Sequence, residues 1–345
     1  MNTNGNKTAL QRVGIIGDGA MGTLCALVLS SGGHSVRLWG RRREQISAMA
    51  ADRENRRYLP GVKLPSGIEL TVADADVAVG VDFLICAVPT QFIRAMLQQL
   101  TPHIPPGLPV LSVAKGIENL TLLRPTQIII DVLPDRPVAT LSGPCIAGEV
   151  ARHMPATLVV ASLNDVLANK IQQVMTTQTL RIYRNDDLIG VELAGAMKNV
   201  IAVAAGILDG MNIGVNAKAA LLTRGLVEIT RLGVAMGAHA ATFSGLAGLG
   251  DLVTTCFSAE GRNRTYGQHI GRGLSPQQAM AEMAGVVEGI PTTRSVLELA
   301  RRHKVEMPIS EMLHSVLFHN KPPHIGITEL MTRQPKAEQS TVSPC

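Results

Sequence analysis

Aromatic residues are scarce in this chain: one Trp, three Tyr and five Phe among 345 residues. Proteins that bind nucleic acid by stacking need aromatic platforms beside clustered basic residues. Here the basic residues are dispersed and the net charge is only +5. DNA and RNA are therefore not expected partners, although a mild positive excess suits anionic ligands. The five cysteines, Cys25, Cys86, Cys145, Cys256 and Cys345, lie far apart, contain no Cys-x-x-Cys pair and are odd in number. That argues against a disulfide framework or a zinc site and fits a reducing cytoplasm. The nine histidines show no metal-ligand spacing, so no metal is expected. Met1 to Lys7 is polar, without an apolar signal core. Val200 to Leu208 is far too short to span a bilayer. The chain reads as cytoplasmic, with no membrane insertion.

What is present is a core of Ala, Val, Leu, Ile and Met within 46% hydrophobic residues. A chain of this length suits about two domains. The first half alternates apolar β-like runs with helical patterns, which predicts a parallel sheet covered on both faces. Its strands are 12–17, 35–39, 67–72, 83–88, 109–113 and 138–141, with 157–161 and 180–183 extending the sheet. From about Asp187 onward only helical periodicity remains, over 190–210, 217–236, 276–284, 291–303 and 308–318. The expected fold is α/β: a Rossmann-like dinucleotide-binding domain over 1–188, an all-helical substrate domain over 189–332, and a mobile polar tail over 333–345.

The first strand runs into Gly17-Asp18-Gly19-Ala20-Met21-Gly22, then an apolar helix, then a second strand. This is the context that the dinucleotide fingerprint requires. Gly17 permits the tight turn, Gly19 lets backbone N–H groups approach a pyrophosphate, and Gly22 lets the helix pack on the strand. The helix N-terminus adds partial positive charge. An NAD-preferring site places an acid at the end of the second strand, about 20 residues past the glycines. This chain has Gly40-Arg41-Arg42-Arg43 there. Guanidinium groups such as Arg41 and Arg42 suit a ribose 2′-phosphate, so NADPH is expected over NADH. A solvated basic turn is the plainer alternative.

The helical half opens with Gly195-Ala-Met-Lys198-Asn-Val, a small and apolar helix carrying one cation. Ala194 and Ala202 share a face with Lys198 and leave its ammonium approachable. Desolvation lowers a lysine's pKa toward working pH and suits it to proton transfer. Snorkelling from a helix edge is the alternative for an arbitrary lysine.

The ordered set Asn55-Arg-Arg-Tyr-Leu-Pro60, Ala114-Lys-Gly116, Ser142-Gly-Pro144, Gly195-Ala-Met-Lys-Asn199, Thr223-Arg-Gly225, Ala247-Gly-Leu-Gly-Asp-Leu252, Arg262-Asn-Arg264, Val286-Val-Glu-Gly289 and Glu306-Met-Pro-Ile309 resembles the NAD(P)-dependent glycerol-3-phosphate dehydrogenases. The resemblance covers nearly everything from Val13 to about Leu330. It implies hydride exchange between a nicotinamide and C2 of a phosphorylated triose, feeding glycerophospholipid synthesis. It implies Lys198 as the proton-transfer group and Lys115 as a second lysine between cofactor and substrate. Asp251 would orient one lysine or bind a substrate hydroxyl; a turn or helix-capping aspartate is the alternative.

On the same resemblance, Arg262 and Asn263 would hold the phosphate, with Gly143, Cys145, Asn199, Thr255 and Gly261 around the substrate. Ala147, Val286 and Glu288 would lie near the cofactor. A solvated loop glutamate is the default reading of Glu288, and a structural surface role that of Arg264. Dimer formation through the helical domain is a family expectation. The chain departs from the family at Ala20 and Met21, where a serine and an aromatic are usual. It departs again at Cys145 and Gly261, where hydroxyl residues are usual, so contacts to phosphate or substrate weaken there. Two rivals stay open: a two-domain dehydrogenase of a hydroxy acid, sugar acid or ketopantoate, and a non-catalytic dinucleotide sensor.

Overall fold

The computed structural model describes residues 9–335, 337 and 338. Met1 to Lys7 and most of the expected tail, 333–345, lie outside the described residues. Among the described residues ten strands are formed: β1 (Arg12–Ile16), β2 (Ser35–Trp39), β3 (Glu54–Asn55), β4 (Leu59–Lys63), β5 (Ile68–Thr71), β6 (Phe83–Cys86), β7 (Val110–Ser112), β8 (Val138–Ser142), β9 (Ala156–Ala161) and β10 (Leu180–Asn185). The helices of the first half are α1 (Ala20–Ser31), α2 (Arg43–Asp52), α3 (Thr90–Leu100), α4 (Pro125–Val132), α5 (Ala147–Ala151) and α6 (Asp165–Met175). Those of the second half are α7 (Leu188–Gly210), α8 (Val215–Ala235), α9 (Ala240–Phe243), α10 (Asp251–Phe257), α11 (Arg262–Gly271), α12 (Pro276–Ala281), α13 (Gly289–His303), α14 (Pro308–Phe318) and α15 (Pro323–Met331).

Eight strands make one sheet in the order β10-β9-β8-β7-β6-β1-β2-β5. From β1 the chain winds outward through β2 and β5, then returns to the other side of β1 for β6, β7 and β8. The strand order reverses between β1 and β6, and ligands of such sheets bind at the carboxyl ends around that reversal. Residues along each central strand feed both faces: Val13 and Ile15 join one core with α1, while Ile16, Leu84 and Cys86 join another with α3 and α4.

The expected all-parallel sheet needs a correction, because β9 runs antiparallel to β8, and β10 pairs parallel with β9. The link between β8 and β9 contains only the five-residue α5. It turns the chain back instead of completing the helical crossover that parallel neighbours require. The small antiparallel pair β3–β4 was not among the expected strands.

Helix α7 forms the spine of the second half, with its apolar residues packing α8, α10, α11 and α13 into one core. The helix expected over 190–210 is formed, and the apolar run Val200–Leu208 is only part of it. It runs 23 residues and has the length and composition to cross a membrane, yet 89% of its most apolar stretch is buried inside the protein. Its hydrophobicity on every side is that of a core helix.

Candidate active site

The glycine turn is built as expected. Gly17 has φ +118°, a conformation open chiefly to glycine, and a Cβ there would lie 2.7 Å from the Ala87 carbonyl oxygen. A Cβ on Gly22 would collide with the carbonyl of Gly17, so α1 packs against β1 only because that side chain is absent. Among the described residues nothing lies within 4 Å of a Cβ position on Gly19. The first turn of α1, with Ala20 and Met21, has no side-chain cap on its backbone N–H groups and begins beside the open space at Gly19. That space, beside the strand reversal, fits a dinucleotide pyrophosphate. Ala147 opens α5, which packs on α1. Arg41 and Arg42 are exposed beyond β2, and Arg42 donates to the Tyr58 hydroxyl at 2.6 Å.

Further along the same carboxyl edge, Lys115 follows β7 and Gly143 follows β8. Lys115 Nζ donates to Asp251 Oδ2 at 2.6 Å and to the Gly143 carbonyl at 3.0 Å. Lys198 Nζ donates to Asp251 Oδ1 and, at 2.5 Å, to Thr255 Oγ1. Asp251 therefore holds both lysines, where the sequence suggested only one. It is the first residue of α10, after a π-helical turn at Leu246–Gly250. Its side chain bridges the two ammonium groups instead of capping the helix.

Lys198 is 6% exposed, which rules out snorkelling. The idea that Ala194 and Ala202 leave its ammonium open also fails, since both alanines are sealed in the core. Gly195 is a close-approach point: a Cβ there would meet Ser142 Oγ at 2.7 Å and Lys115 Cγ at 3.6 Å, so its missing side chain lets those two groups come up to α7 beside Lys198. Burial pulls the Lys198 pKa down to about 8; Asp251 opposes that shift and Lys115 adds to it. The group can exchange a proton near neutral pH.

Two glycine pairs set the next layer. Gly206 and Gly210 on α7 face Gly267 and Gly271 on α11, and a Cβ at any of the four would collide with the opposing backbone. The helices approach more closely than larger side chains permit. The start of α11 is thereby pressed against the site. Asn263 Nδ2 donates to Asn199 Oδ1 at 2.9 Å, Asn199 Nδ2 donates to the Lys115 carbonyl at 3.0 Å, and Gly289 N donates to Asn263 Oδ1 at 2.9 Å. Asn263 and Asn199 thus tie α11, α7, α13 and the Lys115 loop together. Arg262 stands exposed at the head of α11, next to Gly285, with Gly261 capping the helix.

Residues 12–168 match the family model of the NAD-dependent glycerol-3-phosphate dehydrogenase N-terminus, and residues 187–328 match that of the C-terminus. The chain belongs to the NAD-dependent glycerol-3-phosphate dehydrogenase family. Two curated relatives carry the name glycerol-3-phosphate dehydrogenase [NAD(P)+]. That of Geobacter sulfurreducens is 45% identical, covering 95% of this chain and 99% of the relative. That of Geobacter sp. strain M21 is 44% identical, covering 95% and 99%. A crystal structure of glycerol-3-phosphate dehydrogenase from Coxiella burnetii is 35% identical and superposes with a TM-score of 0.91, covering 94% of this chain and 99% of that one. As a member of this family the chain is an oxidoreductase that uses NAD(P).

Several positions read differently once this dehydrogenase is seen folded. Glu288 is no solvated loop residue. Its Oε1 accepts from Thr90 N at 2.8 Å at the start of α3, and its Oε2 is buried without a partner among the described residues. Burial pushes its pKa up to about 7. It joins the loop holding Val286 to the sheet half of the dehydrogenase. Arg264 is not a surface residue: it is part-buried, bonding Asp209 Oδ2 at 2.5 Å and the Ser258 carbonyl at 3.2 Å. Lys218 donates to both oxygens of Asp209 at 2.9 and 2.8 Å, so this cluster fixes the loop leading to Arg262. Cys145 packs against the sheet core, and burial pushes its thiol up to about 11. It remains a neutral, weak donor at neutral pH.

Thr90 and Ser142 were not among the expected site residues, although Ser142 lies in the Ser142-Gly-Pro144 motif. Thr90 Oγ1, at the start of α3, and Ser142 Oγ, at the end of β8, are buried and unpartnered among the described residues. Each lies against a motif glycine, Gly116 and Gly195 respectively. The signal was the glycine itself, which marks where another group comes too close for a side chain.

Proposed function

We propose that this enzyme reduces dihydroxyacetone phosphate to sn-glycerol 3-phosphate, reversibly, with NADPH or NADH, in the cytoplasm. The observation that carries the reading is one carboxylate, Asp251, holding two lysines where the strand ends meet α7. When bound, the nicotinamide supplies or accepts the hydride. Gly17, Gly19, Ala20, Met21 and Gly22 would hold the pyrophosphate, with Arg41 and Arg42 toward the ribose. Lys115, Ala147, Arg262, Val286 and Glu288 would flank the rest of the cofactor.

As the carbonyl oxygen gains electron density, Lys198 Nζ donates its proton to that oxygen. This stabilises the transition state more than the ground state, where the oxygen carries little charge. Asp251 fixes the lysine's position and keeps part of its charge balanced. Lys115, held by Asp251 and the Gly143 carbonyl, adds positive potential from the cofactor side. Gly143, Cys145, Asn199, Thr255, Gly261 and Asn263 surround the substrate in this reading. Of these, Asn199 and Asn263 act mainly by holding loops, as their amides are already engaged.

Arg262 is the candidate phosphate fork, since its guanidinium is exposed at the rim and presents paired donors. Arg262→Ala is expected to raise the KM for dihydroxyacetone phosphate about tenfold or more, the loss of one charge-assisted contact. The unphosphorylated ketone should be turned over poorly by the native enzyme and equally by both proteins. An unchanged KM would place the phosphate elsewhere.

The division at 188/189 into cofactor and substrate halves, and a homodimer through the helical half, belong to the same proposal. Light scattering at a mass of twice 36.6 kDa would support the dimer, and a monomeric mass would remove it.

A further inference from the structure

Asp18 stands in the middle of the glycine turn, at the carboxyl end of β1. Its position is fixed from behind: Asn55 Nδ2 donates to the Asp18 carbonyl at 2.8 Å and also reaches Thr23 Oγ1 at 2.7 Å. Asn55 is itself fully buried and accepts from Gln45 and from the backbone of Tyr58. The side chain of Asp18 lies against the end of β2, where a Cβ on Gly40 would come 3.0 Å from the Asp18 Cβ. Gly40 opens the arginine turn, at the place where an acid able to hold ribose hydroxyls is missing from β2. A carboxylate nevertheless occupies that corner, delivered from the neighbouring strand.

Asp18 Oδ2 is buried and has no hydrogen-bond partner among the described residues. An unpartnered carboxylate oxygen on a half-buried residue is uncommon in a folded protein and calls for a reason. Burial raises the pKa of this group; a hydrogen bond from its own backbone opposes the rise first, then Arg42 and Arg57, which therefore lie within electrostatic reach of it. Both guanidinium groups also flank the Tyr58 ring, at 5.9 and 5.4 Å from its centre, and Arg42 is bonded to the Tyr58 hydroxyl. Their charge is thus partly committed within the protein.

We infer that Asp18 is a specificity-determining residue for the cofactor: its carboxylate accepts from the adenosine ribose hydroxyls and disfavours a 2′-phosphate at the same corner. An ionised carboxylate accepts hydroxyl hydrogen bonds and repels phosphate. The arginine turn attracts phosphate and Asp18 repels it. NADH is therefore bound at least as well as NADPH, against the preference that Arg41 and Arg42 suggest in the sequence. This inference rests on the dinucleotide reading of the glycine turn, and a direct binding measurement separates the two.

Dissociation constants for NADH and NADPH are measured by titration calorimetry on the native protein and on Asp18→Asn and Asp18→Ala. Asp18→Asn removes the charge and keeps the shape. It should tighten NADPH about tenfold, with NADH little changed, the scale of one charged contact. Asp18→Ala should also weaken NADH. A Kd ratio constant within about twofold across all three proteins overturns the assignment, as does equal weakening of both cofactors. Should either variant fail to fold, the native protein decides with fragments. AMP must bind at least as tightly as adenosine 2′,5′-bisphosphate, and a tenfold preference for the latter overturns the inference. If neither dinucleotide binds the native protein, the dinucleotide reading itself falls.

Discussion

Lys198→Ala is expected to lower kcat for dihydroxyacetone phosphate reduction roughly a thousandfold, within the range lost with a positioned general acid. The Kd for NADPH should stay within a few-fold, because the ammonium lies at Asp251 and Thr255 and not at the glycine turn. A purely structural lysine would make the same single variant fail, since its stem is buried against α7's neighbours. Lys198→Met decides between the two: it fills the stem's volume and removes only the ammonium. Lys198→Met leaves Asp251 paired with Lys115, so the variant should still unfold in one cooperative transition, at a lowered midpoint, while turnover stays as low as in the alanine variant. Native-like turnover in the methionine variant would remove Lys198 from the chemistry.

The pH dependence carries the same assignment in a second readout. Reduction needs Lys198 protonated, so its kcat/KM should fall as pH rises through about 8. Oxidation of glycerol 3-phosphate needs the neutral amine, so its kcat/KM should rise through the same region. Two limbs moving in the same direction would contradict a shared proton-transfer group. Asp251 and Lys115 make the effect steeper to test by substitution, since Asp251→Asn would remove the charge that opposes the downward shift and lower the Lys198 pKa further.

The cofactor half was legible because its signals are local. A buried apolar run, a glycine turn and a second strand fall within thirty residues, and each glycine has a steric reason within that span. Helix α7 was legible for its unbroken apolar composition, and Lys198 because a lone cation is conspicuous there. The reversed strand β9 was not, because Ala156 to Ala161 reads the same in either direction; only the short link through α5 decides it. Helix α11 was missed for a different reason. Its sequence, Arg-Asn-Arg-Thr-Tyr-Gly-Gln-His-Ile-Gly, lacks an apolar face and contains two glycines that weaken a lone helix. Those same glycines let it press onto Gly206 and Gly210 of α7, so tertiary contact supplies what local propensity withholds. The bridging by Asp251 was equally invisible, since its partners lie 136 and 53 residues away. Only the fold brings Lys115 and Lys198 to one carboxylate.

Arg124→Met is expected to destabilise the protein by about 3–5 kcal/mol, the range for removing one partner of a buried ion pair. Arg124 precedes α4 on the sheet, and its guanidinium bonds Glu192 on the second turn of α7. The Glu192 side chain is fully buried and accepts also from Thr126 N at 2.8 Å and Thr126 Oγ1 at 2.7 Å. This cluster joins the sheet half to the helix that carries Lys198. Burial already raises the Glu192 pKa, with Arg124 opposing, and losing the arginine raises it further. An acid whose folded pKa exceeds its unfolded value loses stabilisation as pH rises from the unfolded pKa to the folded one. The gap in urea midpoint between native protein and variant should therefore widen from pH 5 to pH 7.5 and narrow again on acidification. Adding Glu192→Gln to the arginine variant removes the stranded charge while the amide oxygen still accepts from Thr126, so most of the lost stability should return. A gap below 1 kcal/mol, or one that does not change with pH, would mean that the carboxylate finds other compensation and that the seam between the two halves is held elsewhere.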